Sequence, residues 1–488
     1  MCGAFRVGAL RFFARACKTA LFIFRVMQYN KTCIGIFLWE VKRMLPEAFT
    51  KRMKTLLAEE YGAFLDSFSR PRAVALRLNP LKTQAPPDLS GFSLRPVPWE
   101  PCGFYYDPET RPGKSAYHEA GLYYLQEASA MAPAALLDPQ PGERVLDLCA
   151  APGGKSTQLA GKMRGRGLLV CNEINPKRAK ILASNIERLG IANALVLNEH
   201  PQRLEMRFAG WFDKILVDAP CSGEGMFRKE EAAVTDWSEE TVLMCARRQA
   251  EILHSASVML RPGGRLVYST CTFAPEENEA SVSVFLRAHP DFSVEETFAP
   301  WFSPGRPDWI SDPMPGLEKT FRLMPHRLLG EGHYCAVLRK AGDAPGEELP
   351  LEPAAKRPKE LDTFCKQTGA ALPEGKIILF GQNVYLAPED LPSLKGLHVL
   401  RAGLELGEVL KNRFGPAHAW ALWLKELPSC VSFPAESEEI RRYLAGDVLA
   451  GDARGWTLVQ VENLSLGWAK GDGQMLKNHY PKALRRCV

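Results

Sequence analysis

An apolar segment followed by a glycine-rich turn and a helix constrains the fold of this chain more than any other feature. Residues 144–149, RVLDLC, form a candidate buried strand. Pro152, Gly153 and Gly154 come next and allow the backbone to approach a ligand, and the helical pattern GKSTQLAGKM follows. The first N–H groups of a helix have no partner within it, so the start of this helix can bind a ligand. The order predicts an open α/β sheet with a ligand at the carboxyl end of its first strand.

Two classes of ligand are compatible with this turn. Gly154, Lys155 and Ser156 resemble the tail of a nucleoside-triphosphate P-loop, and the later run ILVDAP resembles a strand whose Asp holds magnesium. A P-loop requires glycine five residues before Gly154, where this chain has Cys149. A P-loop-like nucleotide-binding protein, or an RNA-binding protein without catalysis, is therefore the second hypothesis.

The next predicted strand favours an adenosine-type cofactor. The apolar run GLLVCN ends at Glu173, and a helical pattern follows. A carboxylate at the end of the second strand, about 20 residues past a glycine-rich turn, suits a ribose diol. The alternative for Glu173 is a helix N-terminal charge that is stabilised by the helix dipole.

Two cysteines follow the next two apolar strands. Cys221 comes after FDKILVDAP, and Cys271 lies in GRLVYSTCT. Side chains at the carboxyl ends of neighbouring strands share one crevice in an open α/β sheet, so both thiols are expected over one substrate. A lone cysteine is most often a small buried apolar residue, but two at neighbouring strand ends favour a chemical role.

Two thiols beside such a cofactor suit methylation at position 5 of a pyrimidine. That carbon becomes nucleophilic only when a thiolate adds to position 6, after which it can attack a methyl sulfonium. A base must later remove the proton at position 5 so that the thiol can leave. Asp218, three residues before Cys221, is a candidate to hold ring N3 and donate a proton, which requires a raised carboxyl pKa.

The motifs taken together resemble a known family. LDLCAAPGGKSTQLA, the acidic NE after the second strand, DAPCSGEGMFRK and YSTCTFAPEENEASV are similar to those of RNA cytosine-5 methyltransferases of the Sun/Fmu and nucleolar-protein type. Within that family the chain most resembles the RsmF-like bacterial rRNA enzymes that carry a C-terminal extension. The likeness covers nearly all of the chain from Met44 onward, including RAVALRLNPLKT, HEAGLYYLQEASAMAPA and LKNHYPKALRR.

The resemblance implies both a fold and a set of site residues. The fold is α/β: a class I S-adenosylmethionine-dependent, Rossmann-like core with an N-terminal α/β extension and a C-terminal PUA-like α+β region. Cys271 becomes the nucleophile, Cys221 assists product release, and Asp218 is also a cofactor-side carboxylate. The exchange of the two cysteines is the alternative, since a Pro-Cys cysteine is the nucleophile in DNA cytosine-5 methyltransferases. The implied cofactor-binding residues are Cys149, Ala150, Ala151, Pro152, Gly153, Gly154, Lys155, Glu173 and Asp218.

The segment after the third strand departs from the family pattern. The family often has an Asp near the adenine, and here His200 takes that position after Asn198 and Glu199. The adenine-contacting residue is therefore left open among these three.

Composition is compatible with a large soluble enzyme without a metal. The chain has 488 residues, which favours two or three domains, and a net charge of only +5, so nucleic-acid binding must depend on local patches. Its 13 cysteines include no CxxC pair and no zinc-type spacing, which predicts free thiols in a reducing cytoplasm. The sequence gives no indication of an oligomer.

The first 43 residues are basic, aromatic and nearly free of acidic residues. Arg25 and Lys31 interrupt the apolar core that a signal peptide or a membrane span requires. We expect residues 1–43 to be a poorly ordered upstream extension, with a membrane anchor as the alternative.

The remaining chain divides by composition. We expect an N-terminal RNA-binding or packing subdomain at 44–130, a catalytic domain at 131–340 that ends in the hairpin TFRLMPHR and GHYCAVLRK, a Pro/Glu-rich linker at 341–360 and a C-terminal RNA-binding region at 361–488. In the first subdomain Tyr123, Tyr124 and Gln126 are candidates either for RNA contact or for packing.

The C-terminal region combines basic and aromatic residues in LKNRF and LKNHYPKALRR. Such residues contact phosphate and stack on bases, so Phe414 and Tyr480 are candidate stacking residues for small-subunit rRNA, the expected partner. The candidate phosphate contacts are Lys477, Lys482, Arg485 and Arg486. Because every cofactor motif lies upstream of the linker, removal of residues from about 361 onward is expected to spare cofactor binding.

Overall fold

The computed structural model describes residues 45–82 and 85–486. The extension predicted at 1–43 lies outside the described residues. No helix within the described ranges is long and apolar enough to cross a membrane.

The N-terminal region contains three α-helices and a small antiparallel sheet. Its elements are α1 (Glu47–Leu57), α2 (Tyr61–Ser67), β1 (Ala75–Leu78), β2 (Arg95–Val97), β3 (Glu100–Tyr105), α3 (Ala116–Glu119) and β4 (Tyr123–Leu125), with the strand order β2-β3-β1-β4. Helix α1 buries Phe49, Met53 and Leu57, which share one face. They pack in one core with Phe227 and Trp237, which follow Cys221 in the chain. The N-terminal helices therefore support the Cys221 segment.

The aromatic candidates in the N-terminal sheet have a packing role. Tyr123 is fully buried, and its hydroxyl donates a hydrogen bond to the carbonyl of Pro112 over 2.8 Å. Tyr124 is buried beneath the guanidinium groups of Arg77 and Arg188. The packing alternative is therefore confirmed for both tyrosines.

A ten-stranded sheet forms the centre of the molecule. Nine of its strands are β5 (Arg144–Asp147), β6 (Leu168–Asn172), β7 (Ala194–Leu197), β8 (Phe212–Asp218), β9 (Leu260–Thr270), β10 (Phe292–Val294), β11 (Ser303–Pro304), β12 (Phe321–Leu323) and β13 (His333–Lys340). The order is β11-β12-β13-β9-β8-β5-β6-β7, with β10 also paired to β13. The strands from β9 to β7 run parallel, and β13 is antiparallel to β9 and β12. The α/β class and the hairpin-like end are therefore confirmed.

Helices cover both faces of this sheet, as parallel strands require. They are α4 (Ala132–Leu137), α5 (Gly154–Met163), α6 (Pro176–Arg188), α7 (Pro201–Glu205), α8 (Glu231–Thr235), α9 (Glu239–Met259) and α10 (Glu279–Ala288). Alternate strand residues face opposite cores: Leu146 and Val170 pack on one side, and Val145 and Leu169 on the other. The carboxyl ends of β5, β6, β8 and β9 are therefore held rigidly at one edge.

The C-terminal region contains two further sheets. The first part consists of α11 (Lys359–Thr368), β14 (Lys376–Phe380), β15 (Asn383–Ala387), β16 (Val399–Ala402), β17 (Leu404–Leu410), β18 (Arg413–Pro416) and α12 (His418–Trp423). The second part consists of β19 (Cys430–Phe433), α13 (Glu438–Ala445), β20 (Leu449–Ala450), β21 (Arg454–Val461), β22 (Leu464–Asp472) and β23 (Met475–Asn478). Phe364 and Trp420 of the first part share one buried core with Leu458 and Trp468 of the second. The two parts therefore pack as one body.

Strand β16 leaves the C-terminal region and becomes the tenth strand of the central sheet. It pairs antiparallel with β7, with Val399 opposite Leu197 and Ala402 opposite Leu195. The addition covers an edge of β7 that would otherwise present unpaired backbone groups.

The structure contradicts the expected roles of the aromatic residues near the C terminus. Tyr480 is 2% exposed and Phe414 is 5% exposed, so neither ring is open to a base. Arg486 is also engaged, because its Nη2 lies 2.7 Å from Glu119 Oε1 of the N-terminal region. A basic and aromatic sequence pattern is compatible both with a buried segment and with an exposed one. The sequence alone therefore could not show whether Phe414 and Tyr480 are buried or exposed.

Candidate active site

The segments that follow β8 and β9 form a crevice, called here the cysteine crevice. Strands β8 and β9 are neighbours in parallel register, with Asp218 opposite Ser269. This register brings the two predicted thiols together, and Cys221 Sγ lies 3.3 Å from Cys271 Sγ. Both cysteines are free and partly exposed. The arrangement follows from the rule that the carboxyl ends of parallel strands meet at one edge.

Glu277 holds the two cysteine segments against each other. Its carboxylate accepts hydrogen bonds from the Ser222 backbone N–H at 3.0 Å and from Gln249 Nε2 at 2.8 Å. Ser222 Oγ also lies 2.9 Å from the hydroxyl of Thr272, the residue after Cys271. Burial raises the pKa of Glu277 to about 7, although these donors oppose the shift.

Glu224 connects the same segments to the N-terminal region. This buried carboxylate accepts from the Phe273 backbone N–H at 3.0 Å and from Trp237 Nε1 at 2.9 Å, and it pairs with Arg52 of α1. The spacing of the two thiols therefore depends on packing from three parts of the chain.

The two thiols differ in their surroundings. A hydrogen bond to Cys271, together with burial, raises the pKa of Cys221 well above that of an ordinary thiol. Cys221 is therefore protonated at neutral pH, and its S–H can donate to the Cys271 sulfur.

Asp218 forms an ion pair with Lys155 at the floor of the crevice. Its Oδ2 lies 2.8 Å from Lys155 Nζ, and Ser269 Oγ donates to its Oδ1 over 2.7 Å. Burial alone would raise the pKa of Asp218, but the charge of Lys155 and the hydrogen bonds from Lys155 and Ser269 lower it. The predicted raised pKa is wrong, because the neutralising cation comes from the turn after β5. Asp218 is therefore an ionised acceptor and not a proton donor.

The turn after β5 is shaped by side chains of α6 and β1. Arg178 donates to the Ala151 carbonyl at 2.8 Å, and Asn185 donates to the Pro152 carbonyl at 2.9 Å. Gly153 has φ +109, a left-handed conformation that glycine adopts without strain. On the other side Arg77 of β1 donates to the Gly154 carbonyl at 2.8 Å. The start of α5 is thus fixed with its first N–H groups directed past the turn.

Three carboxylates lie near this turn: Asp147, Glu173 and Asp218. Their hydrogen bonds and charges show whether the turn can bind a cationic adenosine-type cofactor. Asp147 Oδ1 is buried and accepts no hydrogen bond from the described residues. Burial, followed by the nearby charges of Asp218 and Glu173, raises the pKa of Asp147 to about 7, although the Ser156 hydroxyl opposes the shift. An unfilled acceptor among carboxylates suits a ligand that brings hydroxyl donors and positive charge. The residues therefore fit S-adenosylmethionine.

Glu173 stands at the end of β6 as predicted for a ribose ligand. It is buried, and its Oε1 accepts from the Asn175 backbone N–H at 2.9 Å. Its Oε2 lies 3.6 Å from Arg178 Nη2, which leaves acceptor capacity on this oxygen.

The candidate adenine-contacting residues, Asn198, Glu199 and His200, lie beside the C-terminal region. Asn198 Nδ2 donates to the Glu173 carbonyl at 2.7 Å, and His200 Nδ1 accepts from the Gln202 N–H at the start of α7. Glu199 Oε1 accepts from the His398 backbone N–H at 2.7 Å, just before β16. Removal of residues from about 361 would strip this partner and β16 from the cofactor side. The expectation that such a truncation spares cofactor binding stays a prediction, and the truncated chain would lack these contacts.

His333 is a site residue that sequence reasoning missed. It begins β13, which pairs with β9 from Tyr334 opposite Thr270, so His333 and Cys271 each lie one residue beyond this last pair. His333 is buried, and its Nδ1 has no hydrogen-bond partner among the described residues. Burial, with Lys155 nearby, lowers its pKa to about 4, so the imidazole is neutral. Only the predicted hairpin end, in the stretch GHYC, could have indicated it.

The described residues contain no group of three or more His, Cys, Asp and Glu side chains placed to hold a metal ion.

The fold and site define a class I methyltransferase. The central sheet is Rossmann-like, with a glycine turn after its first strand, a carboxylate after the second and two adjacent thiols at later strand ends. Comparison with known families agrees with this class. Residues 134–339 match the 16S rRNA methyltransferase RsmB/F family, and 45–128 match the N-terminal domain of RsmF. Residues 363–424 match the first C-terminal domain of RsmF, and 430–486 match its PUA domain.

Individual relatives extend along almost the whole chain. The ribosomal RNA small subunit methyltransferase F of Erwinia tasmaniensis is 32% identical over 475 residues, covering 90% of this chain and 97% of the relative. That of Citrobacter koseri is 34% identical over 478 residues, covering 90% and 96%. A solved methyltransferase homologue from Pyrococcus horikoshii is 30% identical, with a TM-score of 0.55 over 62% of this chain and 98% of that one.

The chain therefore belongs to the RsmB/F family of 16S rRNA methyltransferases, with the accessory domains of RsmF. S-adenosylmethionine is its methyl donor. This membership excludes the P-loop and non-catalytic hypotheses.

Proposed function

We propose that this chain methylates C5 of a cytosine in small-subunit rRNA through a covalent bond between Cys271 and ring C6. The observation that supports this most is the 3.3 Å separation of Cys221 Sγ and Cys271 Sγ beside the cofactor turn. Methylation of an amino nitrogen needs no thiol, because the nitrogen lone pair reacts directly. Activation of C5 needs one thiol for addition and one base for elimination.

The contact between the two thiols favours Cys271 as the nucleophile. Because the pKa of Cys221 is raised, Cys221 keeps its proton at neutral pH, and its S–H can donate toward the Cys271 sulfur. The Cys271 thiolate adds to C6, and the electron pair of the C5–C6 double bond shifts toward N3. C5 then carries the electron density that attacks a methyl group. S-adenosylmethionine, when bound, supplies that methyl group as an electrophile on a sulfonium.

Recognition of the ring is assigned in this proposal to Lys155 and Asp218, which form an ion pair beside the two thiols. Although burial alone would lower the pKa of Lys155, its pairing with Asp218 raises it, so Lys155 stays charged. The ammonium stabilises negative charge that develops at N3. The Asp218 carboxylate accepts from the exocyclic amino group of cytosine, a donor that uracil lacks.

We assign product release to Cys221, which acts as the base that removes the proton from C5. The largest cause of its raised pKa is the hydrogen bond to Cys271, and that partner changes once Cys271 is bonded to C6. Cys221 then loses its proton to solvent and takes the proton from C5. The electron pair of that C–H bond restores the C5–C6 double bond, and the C6–S bond breaks to return a thiolate to Cys271.

The substrate class follows from the relatives, two of which are named ribosomal RNA small subunit methyltransferase F. The PUA match at 430–486 supports RNA contact by the C-terminal region. We place the reaction in the cytoplasm, where small subunits are assembled.

The test is direct analysis of the methylated nucleoside. Full-length protein is incubated with radiolabelled S-adenosylmethionine and either unmodified 16S rRNA or isolated small subunits, and the RNA is digested to nucleosides. We expect 5-methylcytidine by mass spectrometry, and bisulfite sequencing then locates it. Label recovered on an amino nitrogen or on ribose would overturn the proposal.

A further inference from the structure

A second concave surface lies in the C-terminal region, away from the cysteine crevice. This C-terminal groove has a volume of about 960 Å³ and lies among α11, the β17–β18 hairpin, β21 and β22. Its volume is near the upper end of the ~300–1,000 Å³ that is usual for ligand pockets. Because the flanking parts share one buried core, the walls are held in fixed positions.

The groove has an excess of unpaired positive charge. Its cations are Lys359, Arg413, Arg454 and Lys470. Within the described part of the chain, none of them has a carboxylate within 4.0 Å. Two acidic residues, Glu360 and Glu408, also line the groove, so cations outnumber them. Arg454 lies opposite Asp472 across the β21–β22 ladder, and its charge lowers the pKa of that carboxyl, but the two form no ion pair within 4.0 Å. Cations that form no ion pair are available to an anionic ligand.

An aromatic surface lies beside these cations. Trp456 is half-buried, and the His479 ring lies 4.6 Å from it, centroid to centroid. Lys470 Nζ lies 5.6 Å from the Trp456 ring centroid. A ring flanked by a cation is the combination on which an unpaired base stacks while its phosphate is neutralised.

We infer that the C-terminal groove binds a single-stranded segment of the substrate RNA, with a base on Trp456 and the backbone along Arg454 and Lys470. This inference rests on the proposed function only in taking RNA as the substrate. It moves the C-terminal RNA contact from the tail, where Tyr480 is buried and Arg486 is paired, to the groove.

The test compares charge reversals of equal size inside and outside the groove. The double variant Arg454→Glu/Lys470→Glu is measured by fluorescence anisotropy with a labelled mixed-sequence 12-nucleotide RNA across a salt series. Each phosphate contact of a single strand contributes about 0.7 to the slope of log affinity against log salt, so the slope should fall by about 1.4. The control is Lys366→Glu/Lys395→Glu, which changes charge equally at two exposed lysines outside the groove and should leave the slope unchanged.

A second pair of variants isolates stacking. Trp456→Ala should weaken binding of the same RNA by about 10-fold, which is within the range for loss of one stacked base. Trp301→Ala, at a Trp that is 46% exposed elsewhere on the surface, should not weaken it. Melting temperatures of all variants show which have lost the fold, and the charge pair decides the outcome if Trp456→Ala is unfolded.

Failure of the groove and failure of the proposed reaction give different results. If the wild type forms 5-methylcytidine but folded groove variants bind RNA with unchanged affinity and salt slope, the inference is wrong, and the groove is left to a protein partner. If groove variants lose RNA binding while the wild type methylates a different atom, the groove assignment holds and the proposed reaction fails.

Discussion

The cysteine crevice and the C-terminal groove differ in whether their charged and polar side chains are already paired with each other. In the crevice, Asp218 is paired with Lys155, and Cys221 is hydrogen-bonded to Cys271 before any substrate arrives. In the groove, Arg454 and Lys470 are exposed, and neither forms an ion pair with any residue that the structure describes. Chemistry requires groups already held in place, whereas binding of a flexible polyanion requires charges that can still be neutralised. With the roles proposed here, the site of reaction and the site of RNA binding lie in different parts of the molecule.

Cys271→Ala should have the largest effect, because it should abolish the reaction and leave RNA binding intact. Loss of the nucleophile should reduce methyl transfer by about 10⁴-fold or more, while RNA anisotropy and cofactor affinity stay unchanged. Scintillation counting of methylated rRNA measures the loss, and calorimetry with S-adenosylhomocysteine measures the affinity. Substantial remaining methyl transfer would mean that Cys221 is the nucleophile.

Cys221→Ala should slow release and leave attack possible. Loss of a general base costs about 10²-fold or more in turnover, and a covalent protein–RNA adduct through Cys271 should accumulate. A denaturing gel with labelled RNA shows the adduct as a shifted band, and the double variant lacking both thiols is the control. Methyl transfer without any such band would remove the release role from Cys221.

Glu173→Ala should weaken cofactor binding and leave the C-terminal groove untouched. Lost hydrogen bonds to a carboxylate cost about 1–3 kcal/mol, so the cofactor dissociation constant should rise about 5- to 150-fold. Calorimetry measures this, with RNA affinity as the internal control. An unchanged constant together with a small fall in melting temperature would support the helix-dipole alternative instead.

Glu277→Gln should change the pH dependence of stability. Because burial raises the pKa of Glu277 from 4.5 to about 7, the folded protein keeps a proton that the unfolded chain loses in this interval. The contribution is fully present below pH 4.5 and is lost as pH rises towards 7. One such proton gives a slope of at most about 1.4 kcal/mol per pH unit. Urea unfolding at several pH values should show a shallower decline for the variant, and parallel curves would exclude this role.

Local patterns predicted the parts of the site that lie within one strand and its following turn. The ends of β8 and β9 could be aligned from sequence because parallel strands place their carboxyl ends together, and the structure brings Cys221 and Cys271 within 3.3 Å. The glycine turn and Glu173 follow from the same local rule.

Contacts between distant segments could not be predicted in this way. The sign of the Asp218 pKa shift depends on Lys155, and the neutral state of His333 depends on its burial at the start of β13. The burial of Tyr480 depends on a core shared with the N-terminal region. Each depends on packing between segments far apart in sequence, which apolar periodicity does not encode.

The pairing of β16 with β7 has a consequence for synthesis of the chain. About 200 residues separate the two strands, so at about 5–20 residues per second the ribosome needs about 10–40 s to deliver the second after the first. During this interval the nascent central sheet presents β7 as an open edge, the kind of surface on which unfinished chains associate. Expression of fragments that stop before Val399 would make this transient exposure permanent, and such fragments should collect in inclusion bodies.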